Sequence, residues 1–158
     1  MPSQGIRTMI ELRPLFRLEA QVDEPRIAPG APLGDRRFIH VSGGTFAGER
    51  LKGVLLDGSS DWQLVRADGV AELDVRVSLQ CDDGPIVFMK GWGMRHGPAE
   101  VLQRLAQGED VDPALYYFRE AIMFEAPAGK YEWLNRVLAL GSGRRDPDLV
   151  TIEAFEVL

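Results

Sequence analysis

Residues 70 to 80 constrain the fold more than any other stretch of the chain. Ala71, Leu73, Val75, Val77 and Leu79 alternate there with Glu72, Asp74, Arg76, Ser78 and Gln80. A period of two puts these sets on opposite faces of a β-strand. Residues 11 to 22 repeat the pattern, with Leu12, Phe16, Leu18, Ala20 and Val22 on one face and Glu11, Arg13, Arg17, Glu19 and Gln21 on the other. Shorter runs follow in RFIHVSG from Arg37, GVLLDG, DWQLVRA, IVFMKGWG, YYFREAIMFEA, VLALGSG and LVTIEAFEVL. Asp68-Gly69 and Asp82-Asp83-Gly84-Pro85 supply the turn residues of hairpins between them. Short antiparallel strands with turn signals at near-even spacing, about eight or nine of them, predict an all-β fold, a closed or nearly closed barrel of about eight strands. Closure removes exposed edges, and at that size the interior either packs solid or holds one small ligand.

The remaining segments read as connections. The stretch DEPRIAPGAPLGDRR, residues 23 to 37, has three prolines and two glycines, too many breakers for a regular element, so it is expected to be a long loop. Long loops often serve as lids or dimer contacts, which makes a homodimer an expectation. GGTFAGERLKG reads as a Gly-rich barrel corner; its spacing is not that of a phosphate loop and no helix follows it. Residues 98 to 107 predict a short helix: Pro98 suits a first turn, Val101, Leu102 and Leu105 line one side, Glu100 can pair with Arg104, and Gly108 ends it. A turn of helix in YEWLN is expected to cover one barrel end. The chain, residues 1 to 158, is the length of one domain, with residues 1 to 10 a loose N-terminal segment.

Charge and rare residues narrow the function classes. Eighteen Lys and Arg stand against 24 Asp and Glu, and the net charge of -6 argues against phosphate backbones and anionic membrane surfaces, so neither nucleic acid nor membrane is an expected partner. Cys81 is the only cysteine, which excludes an intramolecular disulfide, and with His40 and His96 the only histidines no metal site is expected. No redox-cofactor motif is present, so no cofactor is expected. The opening MPSQGIRTMIELRPLF carries no apolar run of secretory-signal length, and nothing approaches the ~20 apolar residues of a membrane helix. A cytoplasmic location is the expectation.

The ordered pieces GDRRFIHVSGGTFAGERLKGVLLDGSSDWQLVRADG, the Asp83-Gly84 turn, YYFREAIMFEAPAGKYEWLNRVLALGSGRR and a last strand ending FEVL together resemble the family labelled domain of unknown function 3237, from about residue 12 to the end. The resemblance implies an antiparallel barrel of lipocalin-like shape with an inner cavity. The chain departs from the family's usual residues at Ser59, where a second glycine is common ahead of Asp61, and at Glu120-Ala121-Ile122, where small polar residues and proline are common. Those departures imply a lumen tuned to another ligand.

Several residues are candidates for a site. Asp61, beside Trp62, would have its pKa raised if aimed into an apolar lumen and could then act as a general acid or base; the alternative is an Asp capping its own turn. Alternation sets Tyr117, Arg119, Ala121 and Met123 on one face and Tyr116, Phe118 and Phe124 on the other, with Glu120 interrupting the second set. If the first face points inward, Arg119 could clamp a carboxylate, phenolate or enolate oxygen, and Arg37 offers the same choice. His40 could transfer protons near neutral pH or serve as a hydrogen-bonded structural residue. Glu72, Asp74 and Arg76 read as a solvated outer face. Two functions fit: a cofactor-independent proton-transfer enzyme of isomerase, lyase or cyclase type, and a carrier of a small hydrophobic ligand. In the first, Asp61 moves the proton and Arg119 or Arg37 stabilises the oxyanion, while Trp62, His40, Tyr117, Phe124 and Trp133 contact a small apolar or aromatic carbonyl or phenol compound. A filled barrel acting as an oligomeric interaction module is a third reading.

Overall fold

A computed structural model of the protein describes residues 9–158. The segment 1 to 10, expected to be loose, lies almost wholly outside the described residues. In chain order the elements are β1 (Leu12–Val22), β2 (Arg26–Ala31), β3 (Gly34–Ala47), β4 (Lys52–Leu55), β5 (Ser59–Val65), β6 (Ala71–Cys81) and β7 (Ile86–His96), then α1 (Ala99–Ala106), β8 (Tyr117–Glu125), β9 (Ala139–Arg145) and β10 (Leu149–Val157). All strand pairings are antiparallel, and β1 pairs with both β10 and β3, so the sheet closes on itself. β4 and β5 share one position in the wall: β4 pairs with the far halves of β3 and β6, β5 with their near halves. The result is an eight-position barrel with β2 outside the ring, paired only to β3. Among the described residues no helix is long and apolar enough to cross a membrane.

The 70-to-80 pattern behaves as its period requires. Ala71, Leu73, Val77 and Leu79 are buried, while Glu72, Asp74 and Arg76 face outward and Arg76 pairs with Asp74 at 3.3 Å. The predicted helix forms as α1 with Val101 and Leu105 buried, although Arg104 pairs with Glu109 at 2.7 Å rather than with Glu100.

Two segments differ from expectation. Residues 23 to 37 are not one loop, because Arg26 to Ala28 pair with Phe38 to Arg36 to make β2 and extend β3. Pro29 is tolerated because β2 is an edge strand, and the register breaks between Ala28 and Ala31. The Gly-rich corner is also largely strand, since β3 runs on through Gly43 to Ala47. Gly44 has φ +141°, and a Cβ there would stand 2.0 Å from the Glu19 carbonyl oxygen of β1. Glycine is what lets β3 change partners while staying against β1.

The barrel is filled at one end and hollow at the other. Phe16 packs edge-to-face on Phe46 at 5.8 Å and on Phe124 at 6.1 Å, and the short 3-10 helix Glu132–Arg136 drives Leu134 into the same end, fully buried. The opposite end, bounded by the end of β7, the start of β8 and the end of β9, lies beneath α1, where Arg37, Arg95 and Arg145 line a space with Leu102 and Leu105.

Candidate functional site

A cavity of about 60 Å³ lies inside the barrel, walled by residues of β1, β3 and every strand from β5 to β10. Its apolar walls include Val75, Val77, Met89 and Ile152, and into it project Asp61, Gln63, Arg95 and Glu120. Gln63, Arg95 and Glu120 are each less than 7 % exposed.

Each polar side chain is placed by a local feature of its strand. Asp61 stands on the inner face of β5, where pairing with β6 is interrupted between Asp61–Val75 and Leu64–Glu72. The Asp74 N–H donates to Asp61 Oδ1 at 3.1 Å, and Gln63 Nε2 donates to Oδ2 at 2.7 Å. Asp61 is therefore aimed into the lumen and does not cap its own turn. Glu120 lies on the inner face of β8, with room made by glycines on both neighbouring strands. A Cβ at Gly93 would stand 2.9 Å from Glu120 Cγ, one at Gly91 3.1 Å from its Oε2, and one at Gly141 3.5 Å from its Cβ.

The electrostatics separate the two carboxyl groups. Burial, with the Asp61 charge adding to it, pushes Glu120 up to about 8 from an ordinary 4.5. Glu120 Oε2 is buried without a hydrogen-bond partner, so nothing offsets the loss of solvation. Asp61 is also raised, chiefly by burial, but its two hydrogen bonds and the nearby Arg95 charge pull the other way. Asp61 has hydrogen bonds and a nearby cation that favour its charged form and Glu120 has none, so the arrangement favours the proton residing on Glu120 while the two groups titrate as a coupled pair. Arg95, lowered to about 10 mainly by burial, remains a cation.

The other expected site residues are not gathered here. Arg119 faces outward, with Nη1 donating to the Phe118 carbonyl and the guanidinium 5.6 Å from the Tyr117 ring, and Tyr117 itself stacks on His96 outside the barrel. The inward face of β8 is the other one, carrying Phe118, Glu120, Ile122 and Phe124. Trp62 is more than half exposed, packed edge-to-face on Phe38 on the outer face of β5. Phe124 is inward but belongs to the packed end, and Trp133 lies there too, beneath the Arg50 guanidinium at 4.2 Å. Arg37 is inward, at the α1 end.

His40 sits between two carboxylates, Nδ1 2.6 Å from Asp23 Oδ2 and Nε2 2.7 Å from Asp57 Oδ1. Because the ring nitrogens point opposite ways, the three groups do not converge on a point; among the described residues none of the His, Cys, Asp and Glu side chains cluster as a metal site would require. The two hydrogen bonds raise His40 above its ordinary 6.5. The stability this clasp contributes is present below pH 6.5 and is lost as pH rises through the raised value. In a proton NMR titration the His40 ring is expected to titrate above 6.5, with the midpoint moving down in Asp57→Asn. A midpoint unmoved by that substitution would show that the clasp does not form.

Glu120, read from the sequence only as a departure from the family's usual residues, and Arg95 were not among the expected site residues. Both had a signal: Glu120 breaks an otherwise apolar inner set, and Gly91-x-Gly93 and Gly141-x-Gly143 each place two glycines on one strand face. Paired glycines at a spacing of two empty a patch of wall beside whatever large side chain lies opposite.

Comparison with known proteins agrees with the geometry. A model of the family described as "Protein of unknown function (DUF3237)" matches residues 10–157. A UPF0311 protein of Rhodopseudomonas palustris (strain TIE-1) is 36% identical over 149 residues, covering 94% of this chain and 97% of its own length. The crystal structure of a beta-barrel like protein from Acinetobacter baumannii AYE is 39% identical, with a TM-score of 0.85 over 98% of this chain and 100% of that one. An enzyme from Penicillium herquei, 18% identical, shares the fold with a TM-score of 0.72 over 98% of this chain and 99% of its own. The lipocalin-like barrel implied by the sequence is thus the fold of its relatives, and the chain belongs to the DUF3237 family of proteins of unknown function.

Proposed function

We propose that the protein is a cofactor-independent proton-transfer enzyme of the isomerase, lyase or cyclase type, acting on a small carbonyl- or phenol-bearing molecule in the barrel lumen. The observation that carries this reading is the pair of carboxyl groups on one cavity, a buried Glu120 without a hydrogen-bond partner, pushed up to about 8, and Asp61, whose charged form is favoured by two hydrogen bonds and the Arg95 charge against the pull of burial. Carboxyl groups pushed apart in this way are matched to opposite halves of a proton transfer. Asp61 takes a proton from the substrate carbon or hydroxyl, Glu120 gives its proton to the oxygen on which charge develops, and Arg95 supplies positive charge beside them. This replaces Arg119 and Arg37 as the expected oxyanion stabilisers near Asp61. The Penicillium herquei protein of the same fold is an enzyme, so the fold is one that hosts catalysis.

The carrier reading would place a ligand in the same space without chemistry; the lumen itself measures about 60 Å³. A narrow lumen admits a short substrate or the reacting end of a longer one. The test is deuterium incorporation, followed by proton NMR, into a panel of small ketones, keto acids and phenols in D₂O. Wild-type protein is expected to accelerate exchange at the position next to the carbonyl or phenol oxygen in at least one compound. Binding of panel members without accelerated exchange in any of them would favour the carrier.

A further inference from the structure

A second chamber, of about 220 Å³, adjoins the lumen beneath α1. Arg95 and Arg145 line both spaces, and Arg37 lines the second. Its remaining walls are apolar, among them Val65, Ala71, Leu102 and Leu105. The three arginines thus line one space, close enough for the Arg37 and Arg145 charges to act on Arg95 and the Arg37 charge on Arg145.

Their partners are missing. Arg95 is only 6 % exposed, yet among the described residues neither it, Arg37 nor Arg145 stands in an ion pair with a carboxylate. Arg37 Nε is buried without a hydrogen-bond partner. The Tyr116 hydroxyl oxygen accepts from the Arg145 backbone N–H at 3.0 Å. Asp61 lends Arg95 some charge from the lumen side, while the Arg145 and Arg37 charges oppose it. Several arginines elsewhere are paired, Arg13 and Arg50 with Glu156, Arg17 with Glu153 and Arg144 with Asp146, and those among the described residues without a carboxylate, such as Arg119, lie on the exposed surface. Unpaired buried cations raise the energy of a fold unless something supplies the countercharge. Here the fold gathers one buried arginine, Arg95, and two half-buried ones, Arg37 and Arg145, along one space.

We infer that this chamber is an anion-binding site, and that the substrate is a small organic carboxylate whose carboxylate seats among Arg37, Arg95 and Arg145 while its reacting carbon reaches Asp61 and Glu120. The planar fork of arginine matches a carboxylate with two parallel N–H···O bonds. The apolar, narrow lumen suits the short uncharged remainder of such a molecule. Arg95, standing between the spaces, links the permanent charge to the place where transient charge develops. As a statement about substrate this rests on the proton-transfer reading; as a statement about binding it stands without turnover.

The test compares butyrate, its neutral isostere butyramide, and inorganic phosphate as ligands of the intact protein, by calorimetry and by the shift in thermal midpoint. Butyrate is expected to bind at least about tenfold more tightly than butyramide, and more tightly than phosphate. In Arg145→Gln and Arg37→Gln the preference for butyrate should disappear. Their thermal midpoints without ligand should equal or exceed wild type, because repulsion among the guanidiniums is relieved. Glu120→Gln should keep the preference, which separates this site from the proton-transfer reading. Equal binding of butyrate and butyramide by wild type would overturn the site, and phosphate binding as tightly as butyrate would overturn the carboxylate assignment. A preference for butyrate without any exchange activity would sink the enzyme reading and leave the anion site standing.

Discussion

Glu120→Gln is expected to stabilise the protein in alkaline solution by as much as about 5 kcal/mol while leaving its stability near pH 4 almost unchanged. The unfolded chain ionises Glu120 near 4.5, whereas burial in the folded lumen delays ionisation to about 8. Between those values the folded protein holds a proton that the unfolded chain has lost, so wild-type stability falls as pH rises. The slope is about 1.4 kcal/mol per pH unit, and it flattens above the folded value. Glutamine keeps the shape and never ionises, so the variant loses this slope. Urea midpoints measured from pH 5 to pH 9 would show wild type and variant diverging steadily, and parallel curves would contradict the buried-acid account. A native protein that carries so large an alkaline penalty, when total stability is about 5–15 kcal/mol, retains a group that its fold would be more stable without. Such retention is expected of a group kept for chemistry.

Asp61→Asn is expected to lower the rate of substrate exchange by about 10²- to 10⁴-fold, the usual contribution of a positioned general base. The fold should survive, because the asparagine carbonyl can still accept from the Asp74 N–H and Gln63 can turn its amide to suit. The variant carries a second, structural readout. The Asp61 charge is one cause of the raised Glu120 value, so removing it should move the Glu120 titration downward. A large loss of rate with no movement at Glu120 would mean that the two groups do not share a lumen. Retained exchange would remove Asp61 from the chemistry.

The wall of the barrel was legible because its apolar sets face a packed interior. Leu73, Val77 and Leu79 sit where their period places them, as do Phe16, Leu18 and Ala20. α1 was legible from its breakers and its apolar side. β2 was not, because Pro29 and Gly30 argue against a strand unless the strand lies at an edge, which only the tertiary structure reveals. At the site, alternation divided β8 correctly but left open which face is inward, for a physical reason. The outward face carries Tyr117 and Met123, and across the register Trp92 lies beside Ala121 and Ala121 beside Leu140, so the outside of β7, β8 and β9 is itself apolar. The inside, meanwhile, holds Glu120 among glycines. Where a lumen is built for a polar task the usual inside-outside contrast weakens, and local pattern no longer tells which face is which. Asp61 was singled out because it stands beside Trp62, and its side chain does line the lumen although Trp62 faces outward. Glu120 and Arg95 needed the paired glycines of β7 and β9 to be read as empty space.

The most direct test of the central claim is the titration of Glu120 itself, followed by carbon-13 NMR in protein labelled at the glutamate side-chain carboxyl and assigned by its disappearance in Glu120→Gln. The account predicts a midpoint of about 8, with the resonance in its protonated position at neutral pH. A midpoint near 4.5, the ordinary value of the group, would mean that Glu120 is solvated and ionised in the native protein, and the lumen would then contain no acid to give a proton.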